Sequence, residues 1–241
     1  MPAQRQALGI ALRYNPPVAW YIAHRCPDCA AYVEDVMAGA PDGLNAEEVR
    51  RREVEVLRFI EDFVLYTRPE LMDTHCDFIY AWDKERLFEL ADFTDRIVLD
   101  VGTGSGRLAL AAAERAREVY ACEPVGTLRD YLWDRIAREG LRNVRVVDGM
   151  AHRLPYPDNT FDIVMSGHVV GDDFENEINE LSRVVKNGGW LLDCPGEEAR
   201  KRGPNMELLE RGWEEFHYVS KLGGDVYRYR KQVIKDRILF S

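Results

Sequence analysis

The fold is decided by the stretch Ile97-Val-Leu-Asp-Val-Gly-Thr-Gly-Ser-Gly-Arg-Leu-Ala-Leu110. It has the pattern of a buried β-strand, followed by a turn with three glycines and then by an Ala/Leu-rich helix. Glycine has no Cβ and accepts a positive φ, so such a turn allows the backbone to approach a ligand closely. Gly102, Gly104 and Gly106 form G-x-G-x-G, whereas the dinucleotide-binding fingerprint is G-x-G-x-x-G. The stretch therefore predicts a ligand-binding turn of a different spacing.

Residues 96–241 alternate short apolar runs with amphipathic segments of helix length, which is typical of βαβ units and a parallel sheet. The predicted strands are Ile97–Val101, Val119–Glu123, Val144–Val147, Phe161–Ser166 and Trp190–Cys194. The predicted helices are Arg107–Arg117, Leu128–Glu139 and Phe174–Lys186. Two alternating segments then flank a Gly223-Gly-Asp turn and predict an antiparallel hairpin. The pattern therefore predicts an α/β fold with a doubly wound, mostly parallel sheet of seven strands and a C-terminal antiparallel hairpin.

Residues 1–95 differ in pattern from residues 96–241, and we interpret them as an N-terminal helical cap ahead of the second domain. Asn45 and Glu48 form a capping-box-like start for a helix with one apolar face. A second helix is predicted over Asp83–Phe93. The stretch before Asn45 is rich in proline, aromatic residues and cysteine, and we expect it to be irregular.

The composition limits the partners of the chain. Its 241 residues carry a net charge of −10, which disfavours nucleic acid as a partner, since phosphate contacts need Lys/Arg patches. No apolar run approaches the ~20 residues that a membrane span needs, so no membrane association is expected. With no secretory signal pattern either, we expect a cytoplasmic protein. The oligomeric state cannot be read from the sequence.

A second acidic residue follows the next predicted strand. The segment Val119-Tyr-Ala-Cys-Glu-Pro124 ends a strand with Glu123 and Pro124. A carboxylate at this place can accept both hydroxyls of a ribose in nucleotide-binding α/β folds. The alternative is a solvated acid at the end of a strand. We predict that Glu123 contacts the ribose of a bound ligand.

A longer passage identifies the family that the chain resembles. Leu154-Pro-Tyr-Pro-Asp158 followed by Asn-Thr-Phe161-Asp162 resembles the "LPFPD-x-SFD" passage of class I S-adenosylmethionine-dependent methyltransferases. It is closest to the type 11 subgroup, which includes ubiquinone and menaquinone biosynthesis enzymes. Leu181-Ser-Arg-Val-Val-Lys-Asn-Gly-Gly189 resembles that subgroup's "L-x-R-V-L-K-P-G-G" passage, with Asn187 in place of the usual proline. The resemblance covers residues 96–195, with an extension to about residue 234.

The resemblance implies a Rossmann-like sheet, S-adenosylmethionine as cofactor and methyl transfer to a small-molecule acceptor. By position it implies that the cofactor contacts Asp100, Gly102, Thr103, Gly104, Gly106, Glu123, Pro124, Asp148, Met150, Ala151, Ser166 and Gly167. One position departs from the subgroup, which has Gly-Asp-Ala where this chain has Gly149-Met150-Ala151. That aspartate commonly meets the adenine amino group. Here either Asp148 or the backbone amides of Met150 and Ala151 would take its place.

The acceptor chemistry is less defined by the sequence. Methyl transfer from a sulfonium needs a base only for a protonated acceptor, and His168, which follows the fourth predicted strand, is the candidate base. A histidine bonded structurally to a loop is the alternative. Asp172 and Asp173 are interpreted as N-cap residues. The activity itself has two alternatives, which are a cofactor-binding protein without methylation activity and a protein or RNA methyltransferase.

The N-terminal cysteines form the motif Cys26-Pro-Asp-Cys29. Such a pair can supply two zinc ligands, with His75 and Cys76 as further ligands, or it can form a redox pair. The chain has no second Cys-x-x-Cys motif, and its five cysteines form no disulfide framework. We therefore predict inert cysteines and no metal site.

Overall fold

The computed structural model describes residues 2–61, 68–76, 79, 82–171, 173–197 and 203–235. The chain divides into two compact units, residues 1–65 and residues 66–241. The sequence pattern placed a boundary after residue 95. The division lies earlier because Leu87, Leu90 and Phe93 are buried in the core of the sheet unit.

The N-terminal unit is helical along most of its length. Its helices are α1 (Pro2–Arg13), α2 (Pro16–Arg25), α3 (Ala30–Ala38) and α4 (Ala46–Glu61), with a 3-10 turn over Pro27–Cys29. The expectation of an irregular stretch before Asn45 is therefore wrong. Pro16 and Pro17 lie in the first turn of α2 and Pro27 begins the 3-10 turn, where the missing N–H costs no hydrogen bond. The capping box is confirmed, since the backbone N–H of Glu48 donates to Asn45 Oδ1 at 2.9 Å.

The second unit is built on one seven-stranded sheet with the order β3-β2-β1-β4-β5-β7-β6. The strands are β1 (Ile97–Val101), β2 (Glu118–Cys122), β3 (Val144–Val147), β4 (Phe161–Ser166), β5 (Val185–Asp193), β6 (Glu214–Val219) and β7 (Asp225–Gln232). Strands β1 to β5 pair in parallel, and β7 pairs antiparallel with both β5 and β6. The doubly wound sheet and the C-terminal hairpin are confirmed.

Helices cover both faces of this sheet. They are α5 (Pro69–His75), α6 (Glu85–Phe88), α7 (Arg107–Ala112), α8 (Gly126–Glu139), α9 (Phe174–Val184) and α10 (Met206–Glu210). One buried cluster joins the sheet to α6, α7 and α8, and a second joins it to α9 and α10. The strand order reverses between β1 and β4, and in such sheets the crevice at the carboxyl ends beside the reversal binds ligands.

Several predicted element boundaries shift in the structure, and the helix predicted over Asp83–Phe93 is limited to α6 (Glu85–Phe88). Helix α9 ends at Val184 and the chain passes directly into β5, which begins at Val185 rather than at Trp190. Lys186 is therefore a strand residue, and its Nζ pairs with Asp162 Oδ1 at 2.8 Å. Helix α7 stops at Ala112, five residues before the predicted end. Among the helices that the structure describes, none combines the length and apolar character that crossing a membrane requires.

Candidate functional site

A cavity of about 640 Å³ opens at the carboxyl ends of the strands beside the β1/β4 reversal. This volume suits a small-molecule ligand of cofactor size. Ten of the predicted site residues line it, namely Asp100, Gly102, Thr103, Gly104, Glu123, Pro124, Met150, Ala151, Gly167 and His168. Gly106, Asp148 and Ser166 are not among the lining residues. We call this space the main cavity.

The three glycines of the loop between β1 and α7 differ in what a side chain at each position would meet. Gly102 has φ +66°, and a Cβ there would lie 2.3 Å from Val169 Cγ2. Gly104 has φ +58°, and its nearest neighbour to such a Cβ would be Met72 Cε at 3.8 Å, so the loop is open at this point. Gly106 has φ +99° and faces Leu132 of α8 instead of the cavity. Gly106 therefore shapes the turn into α7 and does not line the main cavity.

Glu123, the residue after β2, is buried at the wall of the main cavity with 4% of its surface exposed. Its Oε2 accepts the backbone N–H of Gly104, and its Oε1 accepts that of Val125, each at 2.9 Å. Burial raises the pKa of this carboxyl, and the two backbone hydrogen bonds act in the opposite direction. Each carboxylate oxygen keeps a further lone pair, so the group can accept hydrogen bonds from a diol.

Asp100, the fourth residue of β1, lies at the base of the same cavity and is 1% exposed. Its Oδ2 accepts hydrogen bonds from Thr103 Oγ1 at 2.6 Å and from the backbone N–H of Ala109 at 2.9 Å. Burial raises its pKa to about 7. Its Oδ1 is buried and has no hydrogen-bond partner among the described residues. A buried acceptor without a partner is costly, which makes Oδ1 a candidate contact for a ligand donor.

Arg107, at the start of α7, is a lining residue that the sequence reasoning missed. Its Nη2 donates to the carbonyl oxygen of Cys194 at 2.6 Å, and its guanidinium lies over the Trp82 ring at 5.0 Å. Its Nη1 is buried without a partner among the described residues. Burial and the nearby Arg228 lower the pKa of Arg107 to about 10. Its position directly after the glycine loop is the sequence feature that could have identified Arg107 as a residue of the cavity.

Asp73 on α5 is a second residue that sequence reasoning missed. Its Oδ1 accepts a hydrogen bond from Ser105 Oγ at 2.7 Å, and its Oδ2 accepts from Tyr131 OH at 2.6 Å and from Arg135 Nη1 at 3.0 Å. The Arg135 Nη1 atom also donates to the carbonyl oxygen of Ser105 at 3.2 Å. Asp73 thus ties α5 to the glycine loop and to α8. No local motif marks it, because its partners are distant in sequence.

The predicted adenine end of the cavity carries Met150 but not Asp148. Met150 is 48% exposed and lines the cavity with Ala151. The Asp148 side chain is 70% exposed and pairs with Arg129 Nη1 at 3.1 Å. The same Arg129 nitrogen donates to the carbonyl oxygens of Glu123 and Pro124. Asp148 therefore holds Arg129 from outside the cavity, which leaves the backbone around Met150 and Ala151 for contact with a ligand.

The loop after β4 places Gly167 and His168 at the cavity, while Ser166 is buried in the sheet. A Cβ on Gly167 would lie 2.7 Å from both Arg107 Nη2 and the carbonyl oxygen of Cys194. His168 has φ +64°, which is uncommon for a residue other than glycine. Its Nε2 accepts the backbone N–H of Gly196 at 2.8 Å. Since this contact uses the Nε2 lone pair, it supports the structural alternative for His168 over the role of a base.

The remaining candidates lie on other parts of the chain. Asp173 is the N-cap residue of α9 by position, but its side chain makes no capping hydrogen bond and it lines the main cavity. Asp172 lies outside the described residues. Cys26 and Cys29 are free and partly exposed, and their mutual hydrogen bond raises the pKa of Cys29. In the ranges that the structure covers, no three His, Cys, Asp or Glu residues are grouped as metal ligands would be.

Comparison with known proteins identifies the same part of the chain. Residues 99–193 match the family model described as a methyltransferase domain. A demethylmenaquinone methyltransferase of Geobacillus kaustophilus is 34% identical over 99 residues, covering 39% of this chain and 42% of that protein. An uncharacterised protein of Methanocaldococcus jannaschii is 36% identical over 146 residues, covering 61% of this chain and 55% of that protein. The chain spans about half the length of these curated relatives.

Among solved structures, the chain is similar to a SAM-dependent methyltransferase from Aquifex aeolicus. The TM-score is 0.56 at 22% identity, and the match covers 70% of this chain and 98% of that chain. Likeness at this identity shows a shared fold. The matched family region begins within β1 and ends with β5, so it contains the strands that form the main cavity.

Proposed function

We propose that the chain transfers a methyl group to a small-molecule acceptor. The premise is that residues 99–193 form a methyltransferase domain of the class I, S-adenosylmethionine-dependent family. The observation that carries the proposal is Glu123. A buried carboxylate, fixed by two backbone amides at the wall of a cavity of cofactor size, suits the two hydroxyls of a ribose.

Other residues that line the main cavity are suited to contact the amino-acid end and the adenine ring of S-adenosylmethionine. Its amino-acid end carries an ammonium and a carboxylate. The unpartnered Oδ1 of Asp100 is an acceptor for the first, and the unpartnered Nη1 of Arg107 is a donor for the second. The apolar side chain of Met150 and the neighbouring backbone would contact the adenine ring.

The protein's part in the reaction is then mainly orientation. The bound cofactor supplies an activated methyl group on a sulfonium. Glu123, Asp100 and Arg107 would hold the two ends of the cofactor, so that the methyl group faces one fixed direction. Helix α5, tied to the glycine loop by Asp73, covers part of the cavity and would limit the access of water.

Two observations support a small acceptor. The net charge of −10 disfavours binding of nucleic-acid phosphates. The Geobacillus relative is named demethylmenaquinone methyltransferase, and demethylmenaquinone is a small molecule. Its match covers only 39% of this chain, so we carry over the class of acceptor and not its identity.

The proposal is tested by titration calorimetry with S-adenosylhomocysteine and with an analogue that lacks the ribose 2′ and 3′ hydroxyls. In the wild-type protein, loss of the hydroxyls should weaken binding at least about tenfold, or about 1.4 kcal/mol. In Glu123→Gln, which removes the charge while keeping the shape, both compounds should bind with similar, weaker affinity.

A matched control keeps this test specific. Glu34→Gln changes an exposed glutamate of the N-terminal unit and should leave both affinities unchanged. The proposal fails if S-adenosylhomocysteine does not bind to the wild-type protein. It also fails if removal of the hydroxyls costs the same affinity in Glu123→Gln as in the wild type.

A further inference from the structure

Arg228 of β7 is a buried charge that the proposed function does not use. Its side chain is 1% exposed, and its Nη2 donates to Glu197 Oε1 at 3.3 Å. Its Nε and Nη1 are buried and have no hydrogen-bond partner among the described residues. Burial of a guanidinium is costly unless its N–H groups are satisfied, so an ion pair with two open nitrogens contributes little to stability. This cost favours a role for Arg228 beyond holding the fold together.

Glu197, the partner of Arg228, divides one oxygen among three donors. Its Oε1 also accepts hydrogen bonds from Tyr218 OH at 2.7 Å and from the backbone N–H of Asp83 at 3.0 Å. Both contacts are shorter than the contact to Arg228. Glu197 is itself 1% exposed, so solvent does little to screen the charges of the pair. The charge of Arg228 therefore acts on its other neighbours as well.

Trp82 connects Arg228 to the main cavity. The guanidinium carbon of Arg228 lies 5.6 Å from the centre of the Trp82 ring, and that of Arg107 lies 5.0 Å from the same centre. Two guanidinium groups thus contact one aromatic ring. Arg107 lines the main cavity, whereas Arg228 is not among the lining residues. Arg228 can therefore act on a ligand through Arg107 and through its charge, without touching the ligand.

The two guanidinium groups repel each other. Burial and, next to it, the charge of Arg228 lower the pKa of Arg107 to about 10, and Asp100 acts in the opposite direction with a smaller effect. An anion beside Arg107 offsets the repulsion, because it attracts both positive charges. Nη1 of Arg107, buried without a partner among the described residues, is the open donor for such an anion. The arrangement is therefore suited to a ligand that carries a carboxylate at this place.

We propose that Arg228 is a positioning residue for the carboxylate at the amino-acid end of the cofactor. Its charge raises the positive potential at Arg107 above that of a single guanidinium, so the main cavity selects compounds that carry this carboxylate. The inference rests on the proposed function, in which Arg107 Nη1 contacts the carboxylate. It adds the residue that makes this contact selective, and the selectivity can be measured without methyl transfer.

The test compares S-adenosylhomocysteine with its decarboxylated analogue, which keeps the ammonium group and lacks the carboxylate. Titration calorimetry gives the ratio of the two dissociation constants, and the wild-type protein should prefer the carboxylate at least about tenfold. Arg228→Met combined with Glu197→Gln removes both charges of the buried pair, so neither is left unpaired. This double variant should lose at least about fivefold of the preference, while its affinity for the decarboxylated analogue stays equal or rises.

Glu197→Gln alone changes the charge in the opposite direction. It keeps an acceptor oxygen at the same place but removes the negative partner of Arg228, so the preference for the carboxylate should increase at least about twofold. A purely structural role of the pair predicts weaker binding of both compounds and no increase in preference. The single variant also keeps the test decisive if the double variant does not fold, and a preference that stays equal or falls would overturn the inference.

The control is a second arginine–glutamate pair on the same strand. Arg230 lies two residues beyond Arg228, contacts the Trp190 ring at 4.8 Å and pairs with Glu214 at 2.7 Å. Arg230→Met combined with Glu214→Gln should keep the wild-type preference, and thermal unfolding checks that each variant is folded. An unchanged preference in the folded Arg228 double variant overturns the inference, as does equal binding of the two compounds by the wild type. Failure of S-adenosylhomocysteine to bind to the wild type would instead overturn the proposed function.

Discussion

Glu123 Oε2 accepts the backbone N–H of Gly104 at 2.9 Å, so the acid that follows β2 fixes the middle glycine of the loop that follows β1. The two sequence features that predict the cofactor site are therefore one structural unit. The loop positions the carboxylate, and the carboxylate holds the loop. A change at either residue should alter both ligand binding and the local conformation of the loop.

The first prediction concerns steric fit at the glycine loop. Gly102 and Gly140 have nearly equal φ values of +66° and +67°, but only at Gly102 would a Cβ meet a neighbour, Val169 Cγ2 at 2.3 Å. Gly140→Ala should cost about 1–2 kcal/mol of unfolding free energy, from the left-handed backbone alone. Gly102→Ala should cost roughly 1–3 kcal/mol more, because the loop after β4 must move. Urea unfolding of both variants measures this difference, and equal costs would contradict the role of Gly102.

The second prediction concerns Asp73. Asp73→Asn removes the charge from an acceptor that serves Ser105, Tyr131 and Arg135. Hydrogen bonds to a charged group contribute about 1.5–3 kcal/mol, so α5 should open more readily and S-adenosylhomocysteine should bind several-fold more weakly. Hydrogen exchange over residues 69–75 and calorimetry check the two effects. The matched control is Asp130→Asn, and unchanged exchange in Asp73→Asn would show that α5 is held by other contacts.

The third prediction concerns pH and Asp193. Because burial raises the pKa of Asp193 to about 7, the folded chain holds this proton more tightly than the unfolded chain. The stability that the proton provides is fully present at low pH and is lost as the pH rises through about 7. An asparagine side chain does not ionise, so a protein with asparagine at position 193 does not lose this stability as the pH rises. Asp193→Asn should therefore gain roughly 1–3 kcal/mol of unfolding free energy relative to the wild type between about pH 5 and about pH 8.

The measurement is urea unfolding of the two proteins across that range. Asp100, whose pKa is also raised to about 7, is present in both proteins and cancels in the difference. A difference that stays constant with pH would show that Asp193 is not held in an unfavourable ionised state. A difference that decreases with rising pH would show that a cation paired with Asp193 stabilises its ionised form.

The fourth prediction concerns the departure at Met150. The related subgroup has an aspartate at this position, and in this chain Met150 is half-exposed at the cavity wall. Met150→Asp would supply an acceptor for the adenine amino group and should tighten binding of S-adenosylhomocysteine several-fold. Met206→Asp, at a 57% exposed methionine of α10, is the control and should have no effect on binding. Weaker binding by Met150→Asp would show that the apolar side chain itself holds the ring.

Local patterns were sufficient to predict the sheet and the centre of the site. The strand, the glycine loop and helix α7 are contiguous in sequence, and Glu123 follows a strand of clear apolar character. The residue types at these places specify backbone conformation directly. Ten predicted residues consequently line one cavity.

The remaining features depend on contacts between distant residues. Asp73 acts through partners on the glycine loop and α8, and no spacing rule links these segments. Asp148 lies beside the predicted site, but its side chain turns outward to Arg129. The helices before Asn45 were missed because a stretch rich in proline, aromatic residues and cysteine was expected to be irregular, whereas Pro16 and Pro27 begin helical turns.

The central claim, methyl transfer to a small molecule, is tested most directly with S-adenosylmethionine that carries a labelled methyl group. The purified protein is incubated with it and with a cell extract divided into a small-molecule fraction and a macromolecular fraction. We predict label in the small-molecule fraction for the wild type and its loss in Glu123→Gln. Label confined to protein or RNA, or no transfer to either fraction by a wild-type protein that binds the cofactor, would contradict the account.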